Sequence, residues 1–182
     1  MGPMLRRIEM QVENDMMDSR PPRLHVGGIY LQTAPHDCHA CGQSTPVYAL
    51  LLVGPFVVEG EVDLAVALTD DSTATLPNPV LLPDAVAAFA TQHSGGRFRT
   101  DFSRTEERPY WMNHCRHCDA KIGAWYVHNA GGPFFPLSES DFPSITAERL
   151  SGAFVLDDPS VGSNSAMDAW RWWFEQNCNQ VD

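Results

Sequence analysis

The sequence predicts an α+β fold, an antiparallel β core with an inserted segment and a C-terminal amphipathic helix. Three observations lead there. Short runs rich in β-branched and aromatic residues flank two cysteine pairs of identical spacing, Cys38-His39-Ala40-Cys41 and Cys115-Arg116-His117-Cys118. Two other segments, 84–93 and about 165–176, carry helical spacing and helical stop signals instead. Of the 182 residues, 43% are hydrophobic, enough to build one core and too many for a disordered, collagen-like or coiled-coil chain.

Taken in order, residues 1–23 mix charges and methionines without a sustained period and read as an N-terminal arm, leaving 24–182 as a single domain. Residues 26–31 and 46–53 read as strands leading into and out of the first cysteine pair. The apolar run 47–53 is too short to cross a membrane, which takes about 20 residues. After Gly54-Pro55, residues 56–58 and 62–68 read as further strands and 69–79 as a loop. Pro83 then opens a helix over 84–93 with Val86, Phe89 and Ala90 on one face, stopped by Gly95-Gly96. Residues 97–102 alternate as a half-buried strand with arginines on one side, 110–113 lead into the second pair, and 121–127 lead out of it as a strand. Residues 150–156 form one more strand. Ser165, with Asp168 three residues on, caps a last helix whose stripe is Ala166, Ala169, Trp170, Trp173 and Phe174, with Trp172 off the stripe as a candidate contact for a protein partner.

The cysteine pairs carry the chemistry. Two thiolates separated by two residues can grip one ion from a tight turn, and two such turns supply the four soft ligands that tetrahedral zinc prefers. Gly42 and Asp119 follow the pairs, and both residue types tolerate a left-handed backbone. Cys38, Cys41, Cys115 and Cys118 are therefore the expected ligands of one structural Zn2+. Redox chemistry of the thioredoxin kind is disfavoured because those motifs open helices, whereas these precede strands. His36, His39, His114 and His117 crowd the turns as loop residues or outer donors, since thiolates outcompete imidazoles when four are present. Cys178 reads as a spare thiol.

With Cys-x-x-Cys turns at the tips of β segments, and a glycine after the first, residues 26–53 and 108–128 resemble the two halves of a zinc ribbon. The 73-residue interval from 42 to 114 departs from the compact form of that class, so 54–107 is read as an insertion, and no particular family is identified.

Four cysteines close the tetrahedron and leave no position for a catalytic water. The deaminase pattern, His-Glu-x-x-His, a phosphate-cradling glycine loop and Gly-x-Ser-x-Gly are all missing from the sequence. The expectation is a non-enzymatic, zinc-stabilised binding protein. Its formal charge of −11, with no Lys or Arg between 24 and 96, points to a basic protein partner met through acidic surfaces, as inhibitor or immunity proteins do. The alternative is nucleic acid. Arg97, Arg99, Arg104, Arg108, Arg116 and Lys121 interleave with Phe98, Phe102, Tyr110 and Trp111, a combination able to neutralise phosphates and stack bases. An enzyme with an unrecognised acid/base site, for which His36-Asp37 is one candidate, is the third reading. Residues 6–11 lack the apolar stretch of a signal peptide, so a cytoplasmic, bacterial setting is expected, with no membrane partner.

Overall fold

The computed structural model describes residues 22–60, 73–135 and 145–157. Its spine is one long hairpin. Strand β1 (Arg23–Asp37) pairs antiparallel with β2 (Ser44–Glu59) from Arg23 opposite Glu59 to Asp37 opposite Ser44, so the first cysteine pair lies at the tip. The apolar run 47–53 sits inside β2 and is buried residue after residue, because both faces of the hairpin are covered. On one face Ile29, Leu31, Leu50 and Leu52 pack against Val86, Ala90 and Phe98; on the other, Ala34, Val47 and Ala49 pack beneath the cysteine tips with Ile122, Val127 and Phe134.

Strand β3 (Thr73–Leu76) adds to the β2 edge opposite residues 50–53. Helix α1 (Asp84–His93) follows, as expected from Pro83 and the glycines, and buries Val86 and Ala90. Gly95 and Gly96 take positive φ angles of 57° and 74°, closing the helix through N–H bonds to the Gln92 and Thr91 carbonyls. A second, three-stranded sheet then forms from β4 (Phe98–Ser103), β5 (Arg108–His114) and β6 (Lys121–Ile122), with the second cysteine pair at the β5–β6 tip. Helix α2 (Ala124–His128) comes next, and β7 (Thr146–Leu150) and β8 (Phe154–Asp157) run end to end along the free edge of β1. The described chain is thus mostly antiparallel β with few helices.

Four local expectations are corrected. The loop foreseen over 69–79 holds strand β3 at Thr73–Leu76, where Ala74 and Leu76 alternate onto the core and outweigh the turn residues around them. The strand foreseen over 121–127 stops at Ile122 and becomes a helical turn; an apolar run this short has no period long enough to separate the two. The strand foreseen over 150–156 breaks at Gly152, whose φ of 130° lies outside strand geometry. The strand of alternating arginines does form, but only its Phe98 end is buried, while Phe102 on the same face is 50% exposed, because β4 runs past the edge of the core. The strand over 62–68 and the helix from 165, with Trp172 and Cys178, lie outside the described residues.

A single bend shapes the large sheet. Val26 pairs with Phe56 but Gly28 pairs with Val53, so Gly54 and Pro55 together oppose Gly27 in a β-bulge. On the opposite edge of β1 the break at Gly152 falls at the same level, between Ile29 opposite Leu150 and Val26 opposite Phe154. A Cβ on Gly27 would stand 2.1 Å from the Gly54 carbonyl oxygen and 2.5 Å from Pro55 Cδ, so only glycine lets the bend form.

The two sheets are joined by a side chain that imitates a strand. Buried Asn113 of β5 accepts the Tyr48 N–H at 2.7 Å and donates to the Tyr48 carbonyl at 2.9 Å, capping the edge of β2 beyond the end of β3. Both bonds are shielded from water, so losing them leaves two buried backbone groups unpaired.

Two outcomes follow. Gly27→Ala is expected to lower unfolding free energy by about 2–4 kcal/mol in denaturant titration, whereas Gly95→Ala, with open space around it, costs about 1 kcal/mol. Desolvation pushes His128, whose ring packs 5.7 Å from Phe134, down to about 4 from 6.5. The unfolded chain therefore binds a proton that the folded one refuses. Stability should be fully present above about pH 6.5 and decline as the pH falls towards 4, by at most about 1.4 kcal/mol per unit from this residue. Chemical denaturation at pH 7 and 5 should show that slope reduced in His128→Phe.

Candidate metal centre

The two hairpin tips fold alike. In each, the first cysteine donates its N–H to the carbonyl five residues on, Cys38 to Gln43 at 3.0 Å and Cys115 to Ala120 at 2.9 Å. Its carbonyl accepts from the N–H four residues on, Gly42 at 2.7 Å and Asp119 at 2.9 Å. Its sulfur accepts from the N–H two residues on, Ala40 and His117, both at 3.4 Å. The fourth residue must then turn left-handed, and Gly42 and Asp119 do so with φ of 69° and 59°. In both tips the first cysteine is buried and the second exposed.

The tips meet face to face. Cys38 Sγ lies 3.7 Å from Cys118 Sγ, Cys41 Sγ lies 3.8 Å from Cys115 Sγ, and all four sulfurs fall within 4.8 Å of one another. Four sulfurs set about 2.3 Å from a tetrahedral ion stand about 3.8 Å apart, so the cluster fits a metal ion. It is no disulfide, for which sulfurs approach to about 2.05 Å.

Electrostatics point the same way. Burial works to raise the Cys115 thiol, but the N–H groups of Cys118 and His117 and the neighbouring thiols of Cys38 and Cys118 favour its thiolate and bring it down to about 6. Cys118 moves the other way, to about 12: the Ala120 N–H favours its thiolate, yet burial and the sulfurs of Cys41, Cys115 and Cys38 outweigh it. Four sulfurs this close cannot all be anionic on their own. A divalent cation among them removes that obstacle.

The histidines stand outside the sulfur cluster. His114 is buried with Nε2 3.0 Å from Asp101 Oδ2, His117 Nε2 lies 3.0 Å from the Ser44 carbonyl, and His39 stacks on Tyr126 with ring centroids 4.7 Å apart and planes 5° apart. Burial lowers His36 in spite of neighbouring Asp37. The second tip is also tied to β2 directly, since the Arg116 N–H donates to the buried Thr45 hydroxyl at 3.0 Å.

The basic-aromatic segment is divided by the fold. Arg97 Nη1 and Arg99 Nη2 converge on the Asp119 carboxylate at 2.7 and 3.0 Å, and those cations hold it below the usual carboxylate range. Lys121 bonds Asp101 Oδ1 at 2.9 Å, which with His114 depresses Asp101 in the same way. Phe98 and Tyr110 are buried and offer no open face to a base, and half-buried Trp111 packs on Phe98 with centroids 5.6 Å apart. Arg104 and Arg108 are exposed and make no ion pair among the described residues. Of the acidic residues expected to draw a protein, Asp37 and Glu59 stand at opposite ends of the β1–β2 hairpin, and Glu59 is paired with His25 at 3.1 Å.

The sequence reading missed a cleft of about 820 Å3 beside the first tip, between the β4–β5 turn and α2. Phe102, Trp125 and Tyr126 line it with exposures of 50%, 73% and 44%, over a floor of Tyr110 and Met112. The sequence pattern puts Trp125 and Tyr126 on a strand; the helical turn after Gly123 instead brings both to the surface while Val127 is buried. Gly123 is the available signal in the sequence, a residue poor in strands that stands where the strand gives way to the helical turn.

If the left-handed residues shape the tips, Asp119→Ala should weaken metal binding about tenfold more than Asp119→Gly, because alanine at that φ costs roughly 1–2 kcal/mol. Competition with a chromophoric chelator measures the difference, and Gly42→Ala should lose affinity to a similar extent. No family model, no curated protein and no solved structure matches this chain, so its function is argued from the site alone.

Proposed function

We propose that this chain is a non-enzymatic binding protein whose two hairpin tips form a zinc-ribbon-like centre around one structural Zn2+. The observation that carries this reading is the convergence of Cys38, Cys41, Cys115 and Cys118 at tetrahedral spacing, from two tips with the same hydrogen-bond pattern. Zinc suits four thiolates and carries no redox chemistry of its own, and a closed set of four leaves it no position for water. Its work is mechanical: Cys38 and Cys115 belong to the apolar cluster beneath the tips, so the ion clamps the large sheet to the small one.

The surface that meets a ligand is proposed to be the aromatic cleft rather than an acidic face. Three exposed aromatic rings share the cleft, whereas Asp37 and Glu59 are separated by the length of the hairpin. A protein partner attracted by the acidic charge remains a class of ligand within this reading, and rests on net charge alone.

Native mass spectrometry of protein purified without chelator should show one zinc per chain. Removing it should lower Tm by well over 10 °C and abolish dispersion of the amide resonances of residues 38–43 and 115–120, because binding free energy at such sites is folding free energy. Cys41→Ser and Cys118→Ser, at the exposed ligands, should each do the same. A metal-free chain with unchanged Tm would overturn the proposal.

A further inference from the structure

We propose that the cleft between the β4–β5 turn and α2 binds a nucleotide, free or within a single strand, by stacking its base on the exposed rings and pairing its phosphate with Arg104 and Lys121. The inference deepens the binding-protein reading above and rests on it.

Three observations carry it. The first is the concentration of open π-faces: Trp125, Phe102 and Tyr126 are three of the most exposed large apolar side chains among the described residues, and all line this one cleft. Its volume of about 820 Å3 is that of a small-molecule site. Base stacking on aromatic side chains needs only such faces and tolerates any base. The second is preorganisation. Tyr126 is held flat against His39, planes 5° apart, and His39 sits between two cysteines of the metal centre. The platform is therefore fixed before a ligand arrives, and a base laid on it continues an existing stack.

The third is charge. The chain carries −11, yet the cleft is locally balanced: Arg104 and Lys121 line it with Glu106, and Asp101 bonds Lys121. Arg104 has no acidic partner among the described residues and sits in the turn at the mouth of the cleft. Lys121 is held there by Asp101 Oδ1 and the Phe102 carbonyl, both at 2.9 Å, so its ammonium is placed in advance and partly neutralised. Glu106 opposes a polyanion, which limits the phosphates a strand can engage here to one or two.

The test uses the full chain with its metal loaded, its metal content and Tm recorded alongside. Fluorescence anisotropy of labelled hexa-adenylate RNA, at two salt concentrations, should report micromolar binding, and a G·C-rich RNA hairpin with a six-base-pair stem at least tenfold weaker binding. Trp125→Ala should weaken the single strand tenfold or more without changing Tm, since the side chain is 73% exposed. Arg104→Ala should reduce the slope of log affinity against log salt by about 0.7. AMP separates the sources: displacement of the strand at comparable concentration assigns a free nucleotide, and a strand bound while AMP does not compete assigns single-stranded nucleic acid. The inference falls if neither AMP nor the strand binds at low salt, if Trp125→Ala and Arg104→Ala both bind as the parent does, or if hexaglutamate binds as well as hexa-adenylate. Metal content and Tm tell these failures from failure of the zinc centre, because a normal zinc load with no binding overturns only the cleft assignment.

Discussion

The constraint on which the described structure turns is that four sulfur atoms from residues 38–41 and 115–118 must occupy one small volume. Thiols are weak donors and poor neighbours as anions, so nothing in their own chemistry draws them together. The approach is imposed by two backbone turns of the same design, and a cation among the sulfurs would make it favourable. Each turn spends its N–H groups in the same order, with one on the first sulfur and one on the first carbonyl, so each tip is braced within itself. Because one tip ends the large sheet and the other the small one, whatever holds the sulfurs also fixes the relation of the two sheets.

Two further devices keep that relation. Asn113 supplies the amide that β2 would otherwise receive from a neighbouring strand, so β5 is pinned to Tyr48 by backbone-like bonds although no strand pairing joins the sheets there. Asp119 combines the left-handed position of the second tip with a carboxylate that gathers Arg97 and Arg99, tying that tip to the start of β4. The arginines that suggest a phosphate surface in the sequence thus stabilise the tip instead. The same fold that withdraws them exposes Trp125, Tyr126 and Phe102, so aromatic surface moves from the second strand pair to the cleft wall.

Some of this could be read from the chain because it depends on neighbours a few residues apart. The spacing of each cysteine pair, the glycine or aspartate after it, the helix between Pro83 and Gly95 and the buried run 47–53 are local patterns, and each appears where the residues predict it. Other features were misread for want of length. Over 121–127 the apolar residues satisfy a strand and a helical turn equally well, and the contact between Gly123 and the Tyr110 hydroxyl that accompanies the change comes from 13 residues away. Gly27 gave no warning either, since the obstacle is the backbone of Gly54 across the hairpin.

The sequence by itself determined the four cysteines and the turn geometry of the candidate metal centre, because a thiol pair and the left-handed residue behind it act within six residues. Only the tertiary structure decided which charges and rings remain available to a partner. Arg97 and Arg99 are claimed by the Asp119 carboxylate, Lys121 is tethered by Asp101 at the cleft wall, and Phe98 and Tyr110 are taken by the core and the cleft floor, while Arg104, Phe102, Trp125 and Tyr126 are left facing solvent. Whether a side chain is free depends on contacts between segments as far apart as His39 and Tyr126, and no local spacing encodes those.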